Sequence, residues 1–91
     1  MHAVVVRVSI GDPEKAQQGL REQVIPRVSQ APGFVAGYWT RSDDGGNGLS
    51  MIIFESEEGA RAAAEQMRSG AVIPETVTLE GAEVREVVEH A

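Results

Sequence analysis

The side chains in this 91-residue chain that could act on a small molecule are two adjacent aromatic residues and three arginines. Tyr38 and Trp39 are the only tyrosine and tryptophan, and their rings could pack in the core or form the wall of a ligand pocket. Arg7, Arg41 and Arg85 lie in segments with strand patterns, where a guanidinium needs water or an anionic partner. They could form cross-strand ion pairs with nearby glutamates, or orient an anionic enolate or carboxylate. The candidate substrate-binding residues are therefore Trp39, Tyr38, Arg7 and Arg41.

Other titratable groups form no recognisable catalytic or metal-binding pattern. His2 and His90 lie near opposite ends of the chain without a third ligand at metal-binding spacing, and we expect them to be exposed imidazoles. The glycine-rich turn containing Asp43 and Asp44 lacks the twelve-residue ligand spacing of a calcium loop. The sequence contains no cysteine, so it has no thiolate nucleophile and no disulfide. We therefore assign no catalytic residue and no metal site from the sequence.

The amino-acid composition of the chain disfavours some classes of binding partner. The net charge of −6, from 14 acidic and 8 basic residues, disfavours binding to nucleic acid or to an anionic membrane. The sequence has no apolar run long enough for a signal peptide or a membrane span, so we expect a cytoplasmic protein. With 42% hydrophobic residues, a chain of this length is expected to form one domain over residues 1–91.

The alternation of apolar and β-branched residues predicts four strands. They are residues 3–10, 34–41, 49–55 and 82–88. A turn of glycine, asparagine and aspartate between the second and third strands predicts an antiparallel hairpin. Residues 71–80 lack a clear period and contain Pro74, which predicts a crossing loop.

Capping residues and apolar stripes predict two helices. The first, residues 13–30, begins after Asp12 and contains Pro26, where we expect a kink or a break into a short second turn. The second begins after Ser56 and ends at Gly70, and its buried stripe is formed by alanines and Met67.

The order β-α-β-β-α-β predicts an α+β, ferredoxin-like fold, in which two helices cover one face of a four-stranded antiparallel sheet. Apolar side chains occupy both faces of the strands, as Val4 and Val5 illustrate. The face without helices should therefore be buried against a second copy of the chain.

Three segments, together with this order of elements, resemble a known superfamily. They are Gln30-Ala31-Pro32-Gly33-Phe34, Phe54-Glu55-Ser56, and Leu79-Glu80-Gly81-Ala82-Glu83-Val84. The chain resembles the dimeric α/β-barrel superfamily, most closely its small antibiotic-biosynthesis-monooxygenase-like members. The resemblance implies a homodimer that pairs through its sheet faces, a small apolar or aromatic ligand, and no cofactor.

The sequence departs from two branches of the superfamily. Haem-degrading relatives carry a haem-ligating histidine on the second helix, whereas residues 57–69 contain none. Cofactor-free oxygenases of aromatic polyketides place an asparagine four residues before a tryptophan, and here Val35 occupies that position before Trp39. Trp39 can therefore be compared with the aromatic residue of the oxygenases, but its usual partner is missing.

Two functions remain open from the sequence. The resemblance implies cofactor-independent monooxygenation of an aromatic or polyketide-like compound, with Trp39 or Tyr38 positioning the ring and Arg7 or Arg41 stabilising negative charge. The alternative is a non-enzymatic ligand-binding or interaction module, for which dimerisation and stability explain the same residues.

Overall fold

The computed structural model describes residues 1–70, 73–74 and 76–91. Four strands form one antiparallel sheet in the order β2-β3-β1-β4. The strands are β1 His2–Ile10, β2 Phe34–Arg41, β3 Asn47–Phe54 and β4 Val77–Glu86. Helices connect β1 to β2 and β3 to β4, which confirms the predicted ferredoxin-like fold.

The last strand begins earlier than the prediction of 82–88. Val77, Thr78 and Leu79 pair with the carboxyl end of β1, and an irregularity in the register separates this part of β4 from the remainder. The predicted crossing loop is correspondingly shorter, and its residues 71, 72 and 75 lie outside the described residues. Pro74 suggested a longer loop, but the pairing of β4 with β1 begins at Val77, three residues after this proline.

The first helical segment has three parts. They are α1 Pro13–Gly19, a π-helical turn Leu20–Val24 and α2 Ile25–Val28. The Asp12 side chain accepts hydrogen bonds from two backbone N–H groups of the first turn, as expected for an N-cap.

The break expected at Pro26 takes the form of this π-helical turn. The Ile25 N–H donates to the Leu20 carbonyl, five residues back, where an α-helix would use the carbonyl four residues back. Proline has no N–H and its ring crowds the carbonyl four residues before it, so a wider turn ahead of Pro26 relieves both constraints. The short second turn, Ile25–Val28, then follows.

The core lies between the helices and one face of the sheet, here called the inner face. Helix α3, Glu57–Arg68, begins at the N-cap Ser56 and presents a stripe of small residues that lets it lie close to the sheet. Phe54 is fully buried beneath it and meets Phe34 edge-to-face, with ring centroids 6.2 Å apart. None of the described helices is both long and apolar enough to cross a membrane.

The opposite face of the sheet, here called the outer face, carries no helix. One row of directly paired residues crosses it in the order Tyr38, Met51, Val5 and Glu83. Tyr38 and Met51 remain largely exposed, at 65% and 47% of their possible surface. This row is therefore apolar or aromatic on β2, β3 and β1 and ends at a charged residue on β4, and Arg7 of β1 adds a second charge to the outer face.

Candidate functional site

A cavity of about 290 Å³ lies between the first helical segment and the inner face of the sheet. Apolar side chains of both layers line it, among them Val6 and Ile52 from the sheet and Leu20 and Val24 from the π-helical turn. A π-helical turn is wider than an α-helical one and is often found at functional sites. The position and size of the cavity suit a small, largely apolar ligand.

Trp39 forms one wall of the cavity. It points to the inner face because it pairs directly with the inward residue Ser50. A Cβ atom added at Gly37 would lie 2.5 Å from the Cη2 atom of the indole and 2.6 Å from its Cζ3 atom. The indole therefore lies against the backbone of Gly37, and only glycine leaves room for it there.

Ser50 is a polar residue within this apolar lining. Only 8% of its surface is exposed, and it is the buried polar residue of the described part of the chain. Within that part, no hydrogen bond to its hydroxyl is found. Ser50 was not predicted as a site residue, although it lies two residues before Ile52 and four before Phe54, on a strand face that is otherwise buried and apolar.

Arg41 lines the cavity and is itself exposed, which places its side chain at the opening. It pairs across the strands with Gly48, against which Val8 of β1 packs closely. Among the described residues, the ion pairs involve Arg7, Arg61, Arg68 and Arg85, and none involves Arg41. Its guanidinium is thus available to an anionic group of a ligand.

The other two candidate residues lie on the opposite side of the sheet. Tyr38 points to the outer face, so the structure separates it from Trp39. Arg7 also faces outward, and its Nη1 atom lies 3.7 Å from an Oε1 atom of Glu83. The expected cross-strand ion pair is thus present for Arg7, whereas Arg85 pairs within its own strand, donating to the same Glu83 carboxylate at 2.9 Å.

Asp44 lies in the turn between β2 and β3, away from the cavity. The backbone N–H of Gly46 and the hydroxyl of Ser42 both donate to Asp44, and these hydrogen bonds lower the pKa of its carboxyl.

The expectation of an exposed imidazole is wrong for His2, because β1 begins at that residue and its Nδ1 atom is buried, without a hydrogen-bond partner in the described part of the chain. His90 is exposed, as expected.

A second depression, of about 460 Å³, lies between α2 and α3. Phe54 and Met67 form part of its floor, and exposed polar residues such as Glu58 and Gln66 form its rim. Trp39 lines only the first cavity, so a probe of the indole separates ligand binding at the two places.

Comparison with known proteins shows which solved structures share the fold of this chain. No family model matches the chain, and no curated protein sequence matches it. Among solved structures, the chain is similar to SnoaB, a cofactor-independent oxygenase from Streptomyces nogalater, with 15% identity and a TM-score of 0.77 over 98% of this chain and 94% of that one. The ActVA-Orf6 monooxygenase of Streptomyces coelicolor, solved with the ligand nanaomycin D, has 19% identity and a TM-score of 0.57 over 99% and 92%.

A dimeric ferredoxin-like protein from an uncultured marine organism is also similar, with 12% identity and a TM-score of 0.60 over 100% of this chain and 98% of that one. At these identities the comparisons establish a shared fold. The resemblance to the antibiotic-biosynthesis-monooxygenase-like proteins is thereby confirmed at the level of the fold.

Proposed function

We propose that this protein binds an aromatic or polyketide-like small molecule in the cavity beside Trp39 and oxygenates it without a bound cofactor. The observation that carries the proposal is the cavity itself, which is apolar, walled by an indole and open at an arginine that has no described ion-pair partner. The fold shared with a cofactor-independent oxygenase and a monooxygenase supports oxygenation as the reaction.

In this reaction the substrate supplies the electrons that reduce dioxygen. A methylene carbon that lies between two aromatic rings and is conjugated through them to a carbonyl, as in an anthrone, loses a proton to form an enolate, which then reacts with dioxygen. The carbon gains one oxygen atom as a new carbonyl, and the second oxygen atom leaves with both hydrogens as water. Trp39 would hold the ring, and Arg41 would stabilise the enolate charge, which favours ionisation of the substrate.

None of the described residues that line the cavity is suited to remove this proton. Its described lining residues include no carboxylate and no imidazole. The proton would therefore leave to water, and the substrate must be acidic enough to ionise near Arg41. The rate should then rise with pH along the ionisation of the substrate. The same lack of a base favours the alternative function, a ligand-binding module that performs no chemistry.

We also propose that the outer face pairs with a second copy of the chain. Tyr38, Leu49 and Met51 of this face are all exposed large apolar side chains. A group of such side chains on one face marks a site of protein–protein contact. Tyr38 and Arg7 would then belong to the contact between subunits.

Dioxygen uptake tests the oxygenase proposal. The purified protein would be mixed with a panel of anthrone-like compounds, and uptake would be compared with the rate in buffer. We expect uptake above the buffer rate, lowered by Arg41→Gln and unchanged by Arg21→Gln, which removes an exposed arginine on the first helical segment. Uptake at the buffer rate with every compound, despite measurable binding, would leave the binding module as the function.

A further inference from the structure

We infer that Ser50 is the hydrogen-bonding anchor of this cavity and that the ligand is a two-ring aromatic compound with an oxygen at its buried end. The inference rests on the proposed function and adds to it the size of the ligand, the position of an oxygen and the residue that selects for it. It concerns binding and requires no particular reaction.

The Ser50 hydroxyl lies among apolar side chains and has no hydrogen-bond partner among the described residues. A hydroxyl that is withdrawn from water normally gains a hydrogen bond from the protein, since an unmade one is costly. Ser50 is 8% exposed and lines the cavity, yet no hydrogen bond to it occurs within the described part of the chain. Within that part, the Ser50 oxygen is without a protein partner yet is not completely enclosed, so it is reachable from the cavity and is suited to donate to or accept from a ligand oxygen there.

The pairing of β2 with β3 sets the position of Ser50 relative to Trp39 and Arg41. Trp39 pairs directly with Ser50, and Arg41 pairs with Gly48, two residues earlier on β3. Ser50 and Arg41 are therefore diagonal neighbours on the inner face, with roughly 7–8 Å between their backbones. Ser50 lies in the buried part of the cavity and Arg41 at its opening, so an elongated ligand can engage one polar group at each end.

The volume of the cavity limits the size of the ligand. An apolar cavity of about 150 Å³ holds one benzene ring. The cavity beside Trp39, at about 290 Å³, is about twice as large. It accordingly accommodates two fused aromatic rings, with one edge at Ser50, the other at Arg41, and a ring face against the indole.

The test follows the indole N–H signal of Trp39 by NMR during titration, since one tryptophan gives one such signal. The probes are 2,6-dihydroxynaphthalene, which has an oxygen at both ends, and 2-naphthol, which has one. We expect the diol to bind about three- to tenfold more tightly than 2-naphthol, the effect of one further hydrogen bond. Ser50→Ala should remove this difference, and Ser9→Ala, a matched change on the outer face, should preserve it.

Thermal melting of the unliganded variant separates a binding role from a structural one. Because Ser50 has no hydrogen bond to lose in the described structure, Ser50→Ala should melt at or above the temperature of the wild type. A lowered melting temperature together with a preserved difference between the two probes would show a structural role and overturn the inference.

Two further outcomes distinguish failure of the inference from failure of the proposed function. Equal affinity of the wild type for the diol and for 2-naphthol would overturn the role of Ser50 but keep the cavity as a ligand site. An indole signal that no aromatic probe shifts would overturn both.

Discussion

The close contact between Gly37 and Trp39 allows a quantitative test of how the site is built. In the Gly37→Ala variant the new methyl group would lie 2.5 and 2.6 Å from two carbons of the indole, well inside normal contact distance. The backbone of Gly37 lies outside the left-handed region, so alanine adds no backbone strain of its own. The whole effect of the substitution therefore comes from displacing the indole.

The magnitude follows from two opposing contributions. Forcing one extra carbon into a packed site costs about 1–3 kcal/mol. Alanine in a strand interior is favoured over glycine by about 0.5–1 kcal/mol, which offsets part of this cost. The net loss spans about 0–2.5 kcal/mol, and its central value of about 1 kcal/mol corresponds to a melting temperature lower by roughly 4–8 °C for a domain of this size.

The assay combines thermal unfolding, followed by circular dichroism, with the NMR signal of the Trp39 indole. The control is Gly81→Ala on β4, where an added Cβ would meet the Arg7 guanidinium at 3.5 Å, an ordinary contact. We expect Gly37→Ala to lower the melting temperature, shift the indole signal and weaken binding of aromatic probes, and Gly81→Ala to do none of these. A Gly37→Ala protein with wild-type stability and an unshifted indole signal would refute this description of the site.

Three further substitutions test other parts of the structure. Met51→Glu places a charge in the apolar part of the outer face and should convert a dimer into a monomer in sedimentation analysis. A wild-type protein that is monomeric, or a variant that stays dimeric, would contradict the proposed interface. Asp44→Ala should lower the melting temperature at neutral pH. The difference from wild type should shrink below about pH 4, because a carboxyl whose pKa is lowered by folding stabilises the folded state only while it is ionised. A difference that does not change with pH would argue against this role of Asp44. Ser56→Ala removes the N-cap of α3 and should cost about 1 kcal/mol in chemical denaturation, whereas an unchanged midpoint would show that the cap is not needed.

Local patterns were sufficient to predict the order of elements and most of their positions. Capping by Asp12 and Ser56, and the effect of Pro26 on the first helical segment, depend on residues that are close in sequence. The early start of β4 was missed because Val77 and Leu79 are held by pairing with β1, at the other end of the chain. Such long-range pairing leaves little trace in a ten-residue segment that also contains a proline.

The side of the sheet to which Trp39 points could not be predicted from alternation alone. The register of β2 against β3 shifts between Phe34 and Ala36, so both Phe34 and Trp39 face inward although they are an odd number of residues apart. Strict alternation from Phe34 would have placed Tyr38 inside. Ser50 was missed for a different reason, because a serine on a strand gives no sign of a cavity until the opposing helix is in place.

The most direct test of the account is the fate of labelled dioxygen. The protein would be incubated with a substrate from the uptake panel under ¹⁸O₂, and the product and solvent would be analysed by mass spectrometry. The account predicts a product that contains one ¹⁸O atom, with the second in water, and much less product from the Arg41→Gln variant. Substrate that binds beside Trp39 and is recovered without label would contradict the proposed oxygenation and leave ligand binding as the function.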